Sequence, residues 1–380
     1  MDFTLSEEHQ MIQKTARDFA EAELRHDALE RDAKAIFPKK AVAKLGEMGF
    51  LGMITPEKYG GAGFDMLSYV LALEEIARVD AATCVIMSVT NSLCQFVITT
   101  WGTEEQKQKY LVPLAKGEKL GAYALSEPQS GSDASNMRAF AEKKGDHYVL
   151  NGTKNWVTNG KSADTYIVFA LTEKGVRHKG VSAFIVERDF DGFATGKKED
   201  KLGIRSSDTC ELIFKDCEVP AENLLWEAGK GFKIAMGTLD SGRIGIAAQA
   251  LGIAQAALDK SLQYSREREQ FNRPISDFQA IQFKLAEMAT EIDAARLLTY
   301  RAARKKDRGE PVGKEASMAK YFASDTAMRA ANEAVQIHGG YGYITEYEVE
   351  RLMRDAKITQ IYEGTNEIQR VVIARNLLRE

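Results

Sequence analysis

The spacing of apolar residues changes twice along this chain, and that double switch constrains the fold more than any other feature. From residue 5 to about 118 apolar residues recur at helical intervals, as around Leu67, Val70, Leu71, Leu73, Glu74 and Ala77, with breaks at Gly60-Gly61-Ala62-Gly63 and Trp101-Gly102. The pattern then becomes short β-type runs: Ala122 to Leu125, Tyr148 to Leu150, Tyr166 to Leu171, Val181 to Val186 and Glu211 to Phe214. Turn residues such as Asn151-Gly152 separate them. After Pro220 helical spacing returns, most clearly at Phe278, Ile281, Leu285, Met288 and Ile292, which share one face and call for bundle partners. Arg304-Lys305-Lys306-Asp307-Arg308-Gly309 reads as a helix terminus, because the dipole favours cations there and a glycine suits the cap. The order predicts an α+β chain: a helical unit over 1–118, a small β unit over 119–228 and a helical unit over 229–380.

At 380 residues the chain is long enough for two or three units around a substantial core. Its 51 Lys plus Arg balance 55 Asp plus Glu without long single-sign blocks, which argues against a nucleic-acid partner. Cys84, Cys94, Cys210 and Cys217 lack CxxC spacing and read as reduced structural thiols. Met1-Asp2-Phe3-Thr4-Leu5-Ser6-Glu7-Glu8 has no basic, apolar leader pattern, and no run of about 18 apolar residues follows. The expectation is a protein without membrane insertion, cytoplasmic if bacterial and in the mitochondrial matrix if processed from a eukaryotic precursor. The dispersed His9, His26, His147, His178 and His338 form no metal-ligand motif, so no metal is expected. No GxSxG elbow or GxxxxGK[ST] loop occurs, and Gly60-Gly61-Ala62-Gly63 is not the turn of a βαβ nucleotide fold.

Two β-region segments carry more small polar groups than a plain sheet needs: Leu125-Ser126-Glu127-Pro128-Gln129-Ser130-Gly131-Ser132-Asp133 and Asn155-Trp156-Val157-Thr158-Asn159-Gly160. Hydroxyls, amides and an indole suit a polar aromatic ligand, although each segment alone also reads as an ordinary loop. Near the C-terminus, Thr359-Gln360-Ile361-Tyr362-Glu363-Gly364-Thr365-Asn366-Glu367-Ile368-Gln369-Arg370 puts an acid before a helix start that Thr365 or Asn366 could cap. On composition Glu363 reads as a solvated loop acid, since the helix dipole favours carboxylates at such places.

Together and in this order, the three segments resemble the acyl-CoA dehydrogenase family, with similarity from about Leu5 to Leu378. Tyr59-Gly60-Gly61-Ala62-Gly63, Gly231-Phe232-Lys233-Ile234-Ala235-Met236, Arg268-Glu269-Gln270-Phe271, Phe278-Gln279-Ala280-Ile281-Gln282 and Gln336-Ile337-His338-Gly339-Gly340 extend it. The resemblance implies an N-terminal helical domain, a middle β-barrel domain and a C-terminal four-helix bundle, assembled as a homotetramer with FAD. It implies flavin contacts from Tyr123, Leu125, Ser126, Gly131, Ser132, Trp156, Val157, Thr158 and Thr365. Arg268, Phe271, Gln279, Gln336, Gly339 and Gly340 would hold the adenine-side phosphates and ribose across a subunit interface. Ser132, Asp240, Arg243, Tyr362, Gly364 and Arg375 match positions that contact the acyl-CoA. Glu363 falls at the family's common catalytic position; the alternative position used by one subgroup is here Gly242, which cannot abstract a proton.

The resemblance further implies that Glu363 takes the α-proton of an acyl thioester while flavin N5 accepts hydride from the β-carbon, giving a trans-2-enoyl-CoA. The Glu363 backbone N–H and a flavin ribityl hydroxyl would stabilise the enolate oxygen. Electrons would pass to an electron-transfer flavoprotein. The sequence is most similar to the short-chain, butyryl-CoA branch, with a pocket lined from the 85–96 and 239–247 helices. An oxidase, a flavin-free thioester isomerase or hydratase, and a CoA-binding scaffold are the competing readings.

Overall fold

The structure, a computed structural model, describes residues 4–379. Met1, Asp2, Phe3 and Glu380, which fall within the terminal units drawn above, lie outside the described residues. Eight helices come first: α1 (Glu7–Phe19), α2 (Ala28–Lys34), α3 (Lys39–Glu47), α4 (Met66–Val79), α5 (Ala81–Ser88), α6 (Phe96–Trp101), α7 (Glu104–Gln106) and α8 (Val112–Ala115). Local chemistry starts several of them. The Ser6 hydroxyl accepts from the His9 amide at 3.2 Å, the Asp65 carboxylate from Ser68 at 2.8 Å and Asp80 from Ala82 at 3.0 Å. α4 is buried almost all round, so it acts as the central post of this region and not as a surface helix.

A π turn over Val89–Gln95 joins α5 to α6. It aims two amides at carbonyls that would otherwise be stranded: Asn91 donates to Phe50 at 2.9 Å, and Gln95 donates to Leu114 at 3.1 Å. Ala81–Trp101 has mean hydropathy 1.6 over a membrane-length window, although Thr83, Ser88, Asn91 and Gln95 interrupt its apolar residues. That window is 94% buried within the fold, which is why its apolar surface needs no lipid.

Seven strands follow: β1 (Gly121–Ala124), β2 (Phe140–Lys144), β3 (His147–Thr158), β4 (Thr165–Leu171), β5 (Val181–Glu187), β6 (Phe193–Lys198) and β7 (Thr209–Pro220). They form one sheet in the order β1-β4-β2-β3-β7-β6, with β5 paired to β4. The sheet curls so that Tyr166, Val168 and Ala170 of β4 share an apolar core with Leu150, Leu212 and Phe214 of β3 and β7. β2 and β6 escaped the sequence reading because β2 is largely polar and exposed and β6 carries polar or small residues after its first, leaving little alternation to detect.

Asn151-Gly152 is not a turn. It lies inside β3 at a register shift, where Gly152 takes φ 140° and a Cβ would sit 2.7 Å from the Ala139 backbone. The β2–β3 hairpin turns instead at Gly145, with φ 63°. A second shift in β3, between Lys154 and Val157, leaves Trp156 at φ 62°. The segment Asn155 to Thr158 is therefore the end of a strand, not a loop.

The last region holds α9 (Gly231–Glu267), the short strands β8 (Glu269–Gln270) and β9 (Arg273–Pro274), and helices α10 (Gln279–Asp307), α11 (Gly313–His338), α12 (Val349–Thr359) and α13 (Asn366–Leu377). α10 ends as its cations and glycine predict, with Gly309 at φ 69°. α9 crosses close to α4: a Cβ on Gly252 would lie 2.3 Å from the Glu74 carbonyl oxygen. One apolar core runs through both helical regions, joining Leu73, Ile86, Ile244, Leu251 and Ala323.

Candidate active site

Glu363 lies in the short link between α12 and α13, where it and Gly364 take consecutive left-handed conformations, φ 54° and 93°. Only glycine adopts that region without strain, so Glu363 is held there by its surroundings. Thr365 is the N-cap of α13, its hydroxyl accepting from the Ile368 amide at 3.4 Å. The link thus ends by ordinary helix chemistry and bends by imposed geometry.

The carboxylate of Glu363 is turned inward. Although the residue as a whole keeps some accessible surface, its Oε2 is sealed and has no hydrogen-bond partner. Burial pushes its pKa up to about 8, opposed by the nearby cations Arg243 and Lys320. The reading of Glu363 as a surface acid fails because α9 and α11, remote in sequence, close over it.

On α9, Gly242 faces this carboxylate so closely that a Cβ there would stand 1.9 Å from Oε2 and 2.8 Å from the Leu93 side chain. The neighbouring Arg243 guanidinium donates to Asp240 at 2.8 Å, while its Nε has no partner. Burial lowers the Arg243 pKa and raises that of Asp240, each partly offset by the other. The Tyr362 hydroxyl donates to the Gln249 side chain. Tyr123 on β1 packs on Phe169 and reaches the Ala235 carbonyl at 3.5 Å, and its burial beside Glu363 raises its pKa. Tyr123, Asp240, Arg243, Tyr362, Glu363, Gly364 and Thr365 therefore belong to one neighbourhood.

The second neighbourhood is the loop after β1 and the end of β3. Asn155 N–H donates to the Ser126 carbonyl at 2.9 Å, tying the two polar segments together. Beneath them, Lys154 pairs with Glu127 at 2.7 Å and donates to the Leu125 carbonyl at 3.0 Å; both side chains are buried. Burial lowers the Lys154 pKa to about 8 against the pull of Glu127. Above this brace Trp156 is 62% exposed, whereas Val157 is buried, and Gly131 and Ser132 face solvent. Asn155 Oδ1 is buried without a partner. An exposed indole held at positive φ, orphaned polar atoms and the hydroxyls of Ser126 and Thr158 fit an isoalloxazine, which needs both apolar and hydrogen-bonding neighbours.

Arg268, Phe271, Gln279, Gln336, Gly339 and Gly340 gather elsewhere, around β8–β9, the start of α10 and the end of α11. Arg268 stands over the Tyr341 ring at 5.4 Å, and Phe271, at φ 54°, meets Phe278 at 6.0 Å. Phe271 and Tyr343 are 88% and 87% exposed, an aromatic surface that a monomer leaves uncovered. Arg375 is exposed on α13 and joins neither group.

Three buried charged side chains at the site escaped the sequence reading. Glu127 was hidden in a segment valued for its hydroxyls, Lys154 stands one residue before the other such segment, and Lys320 sits in α11. The signal for Lys320 was present: it interrupts the buried small-residue face formed by Ala316, Ala319, Ala323 and Ala327, where a cation needs a reason.

A helix–sheet–helix chain with an orphaned carboxylate buried beside compensating cations is built as an enzyme. The chain belongs to the acyl-CoA dehydrogenase family: its residues 6–118, 122–217 and 229–378 match that family's N-terminal, middle and C-terminal domains. It is similar to the solved butyryl-CoA dehydrogenase of Megasphaera elsdenii, at 54% identity and TM-score 0.98 with both chains fully covered. A chain in a structure of the electron transferring flavoprotein of Acidaminococcus fermentans, solved in work on flavin-based electron bifurcation, matches at 56% identity and TM-score 0.99, again over all of both chains. The mitochondrial short-chain specific acyl-CoA dehydrogenase of Mus musculus is 54% identical over 99% of this chain and 91% of its own.

Proposed function

We propose that this chain dehydrogenates a short acyl-CoA to the trans-2-enoyl-CoA, with Glu363 as the base that removes the α-proton. The observation that carries the reading is the Glu363 carboxylate: its Oε2 is buried without a hydrogen-bond partner, and burial raises its pKa to about 8. A general base is most effective with a pKa near the working pH, and a dry carboxylate is a stronger base than a solvated one. Arg243 and Lys320 keep its ionised form accessible despite burial.

The α-proton of a thioester is weakly acidic, so negative charge developing on the carbonyl oxygen needs a donor. The Glu363 backbone N–H makes no hydrogen bond within the chain, among the described residues, and is the candidate donor. One preorganised donor of this kind contributes up to about 3–4 kcal/mol in a water-excluded site. Bound FAD supplies the hydride acceptor, at N5, for the β-carbon. Ser126, Trp156 and Thr158 would hold its ring, and the Arg268 to Gly340 set its adenine end across a subunit interface of a homotetramer.

Asp240 and Arg243 line the approach of the CoA thioester. Beyond Gly242 the α9 surface closes within one turn, since a Cβ on Gly245 would meet the Ser88 hydroxyl oxygen at 2.9 Å and the Tyr69 hydroxyl at 3.6 Å. One turn spans roughly 5 Å, room for only a few carbons, which favours butyryl-CoA. Electrons then pass to an electron-transfer flavoprotein. We divide the chain at 118/119 and 228/229, read the curled sheet as a β-barrel and the long C-terminal helices as a four-helix bundle. A bacterial cytoplasm is the proposed setting, or the mitochondrial matrix for a chain processed from a eukaryotic precursor.

The test is anaerobic titration of the FAD-loaded protein with butyryl-CoA, following the flavin's long-wavelength absorbance. Wild type should bleach, while Glu363→Gln should stay yellow, still bind acyl-CoA and bleach about 10²–10⁴-fold more slowly. Bleaching of the variant at the wild-type rate would remove Glu363 from the reaction.

A further inference from the structure

The Glu363–Gly364 turn is held by a buried clamp. The Gly364 carbonyl oxygen accepts from both Lys320 Nζ at 2.9 Å and Gln369 Nε2 at 2.7 Å, and Gln369 also reaches the Glu363 carbonyl at 3.2 Å. Lys320 donates a second bond to Asn366 Oδ1 at 2.9 Å, and Asn366 is fixed in turn by Ser324 at 2.9 Å and Asp325 at 2.7 Å.

Lys320 is fully buried, yet its hydrogen-bond acceptors are a carbonyl and an amide oxygen, not a carboxylate. A buried ammonium without a contacting anion is costly, and for structure alone a neutral donor would serve this turn as well. Burial pushes the Lys320 pKa down to about 7 and that of Glu363 up to about 8, and each group opposes the shift in the other, so the charge on Lys320 and the ionised carboxylate stabilise one another. The other charged or titratable groups around the carboxylate are Arg243, with Asp240, on α9 and the phenols of Tyr69, Tyr123 and Tyr362, while Asp325 on α11 and Glu367 on α13 act on Lys320.

We propose that Lys320 is a positioning residue for proton abstraction, fixing the strained turn that carries Glu363 and supplying the positive charge that keeps its carboxylate ionised. The inference rests on Glu363 being the base. Gln369 shares the first task, because it grips the same carbonyl, but not the second, because it is neutral.

The experiment measures single-turnover flavin bleaching by butyryl-CoA against pH in holoenzyme carrying Lys320→Met, Lys320→Gln, Lys320→Arg or Gln369→Met, with FAD content and thermal unfolding as controls. Loss of a positive charge disfavours the ionised carboxylate, so Lys320→Met and Lys320→Gln should move the rising limb to higher pH by roughly one unit. At pH 7 bleaching should then fall by about tenfold, recovering in part at higher pH. Lys320→Gln retains a donor and tests the charge even where the methionine variant folds poorly. Lys320→Arg should return the limb to its wild-type position, and Gln369→Met should slow bleaching without moving it. An unmoved limb in Lys320→Gln, or an equal shift in Gln369→Met, overturns the proposal. Glu363→Gln run alongside reports separately: wild-type bleaching there rejects the base, whereas an unmoved limb with an inactive Glu363→Gln rejects only the role of Lys320.

Discussion

Gly242→Ala tests the geometry of the site most directly, because two elementary effects predict opposite results. In a helix interior, Gly→Ala is favourable by about 1 kcal/mol, so propensity alone predicts a more stable protein with unchanged activity. The structure predicts otherwise. The new methyl would stand 1.9 Å from Glu363 Oε2 and 2.8 Å from Leu93 Cδ2, so the carboxylate must retreat by at least about 1 Å to restore ordinary contact. Overpacking of this kind costs about 1–3 kcal/mol, leaving a net destabilisation of roughly 0–2 kcal/mol and a melting temperature lowered by a few degrees at most. Catalysis should suffer far more. A 1 Å displacement of a reacting group can cost about 10²-fold, equivalent to about 2.7 kcal/mol of barrier, so kcat/KM for butyryl-CoA should fall by that factor with FAD content preserved. The assay is steady-state turnover with a dye acceptor beside anaerobic bleaching and thermal unfolding. A variant that is more stable than wild type and equally active would refute the claim that Gly242 exists to admit the carboxylate.

Two other outcomes follow from the same electrostatics. Since Glu363 acts as the ionised form and burial raises its pKa to about 8, kcat/KM should rise with pH through that value and level off above it, a profile that Glu363→Gln should lack. Lys154→Met should leave Glu127 buried without its partner, at a cost of about 3–5 kcal/mol, and should free the Leu125 carbonyl; scanning calorimetry and FAD titration should show lower stability and weaker flavin binding, and wild-type values for both would sink the bracing role.

Features governed by neighbouring residues were legible in the sequence. The terminus of α10 at Gly309 and the cap of α13 at Thr365 depend on side chains within a turn, and both appear where their chemistry puts them. Central β4 was also visible, because burial on both faces leaves an unbroken apolar run, Tyr166 to Leu171. β2 and β6 were not, since their polar residues carry no such mark. Asn151-Gly152 misled for a physical reason: the same left-handed tolerance serves a hairpin turn and a strand bulge, and only the approach of Ala139 decides between them. The environment of Glu363 is of the same kind. Its burial depends on Gly242 of α9 and Lys320 of α11, which no local pattern connects to it.

The π turn between α5 and α6 bears on how chains of this design can vary in length. A π turn accommodates one more residue than the α-helical path around it, the mark of an insertion absorbed without breaking the rod. Removing a residue between Val89 and Gln95 would restore regular winding and keep the facing of the helix beyond it, but the side chains inside the turn would be re-aimed. Asn91 and Gln95 would then lose the carbonyls of Phe50 and Leu114, and Leu93 would leave the wall opposite Gly242. This segment should therefore tolerate exchanges of side chain while its residue count stays fixed, so that diversification here proceeds by substitution and length changes are channelled into the exposed loops.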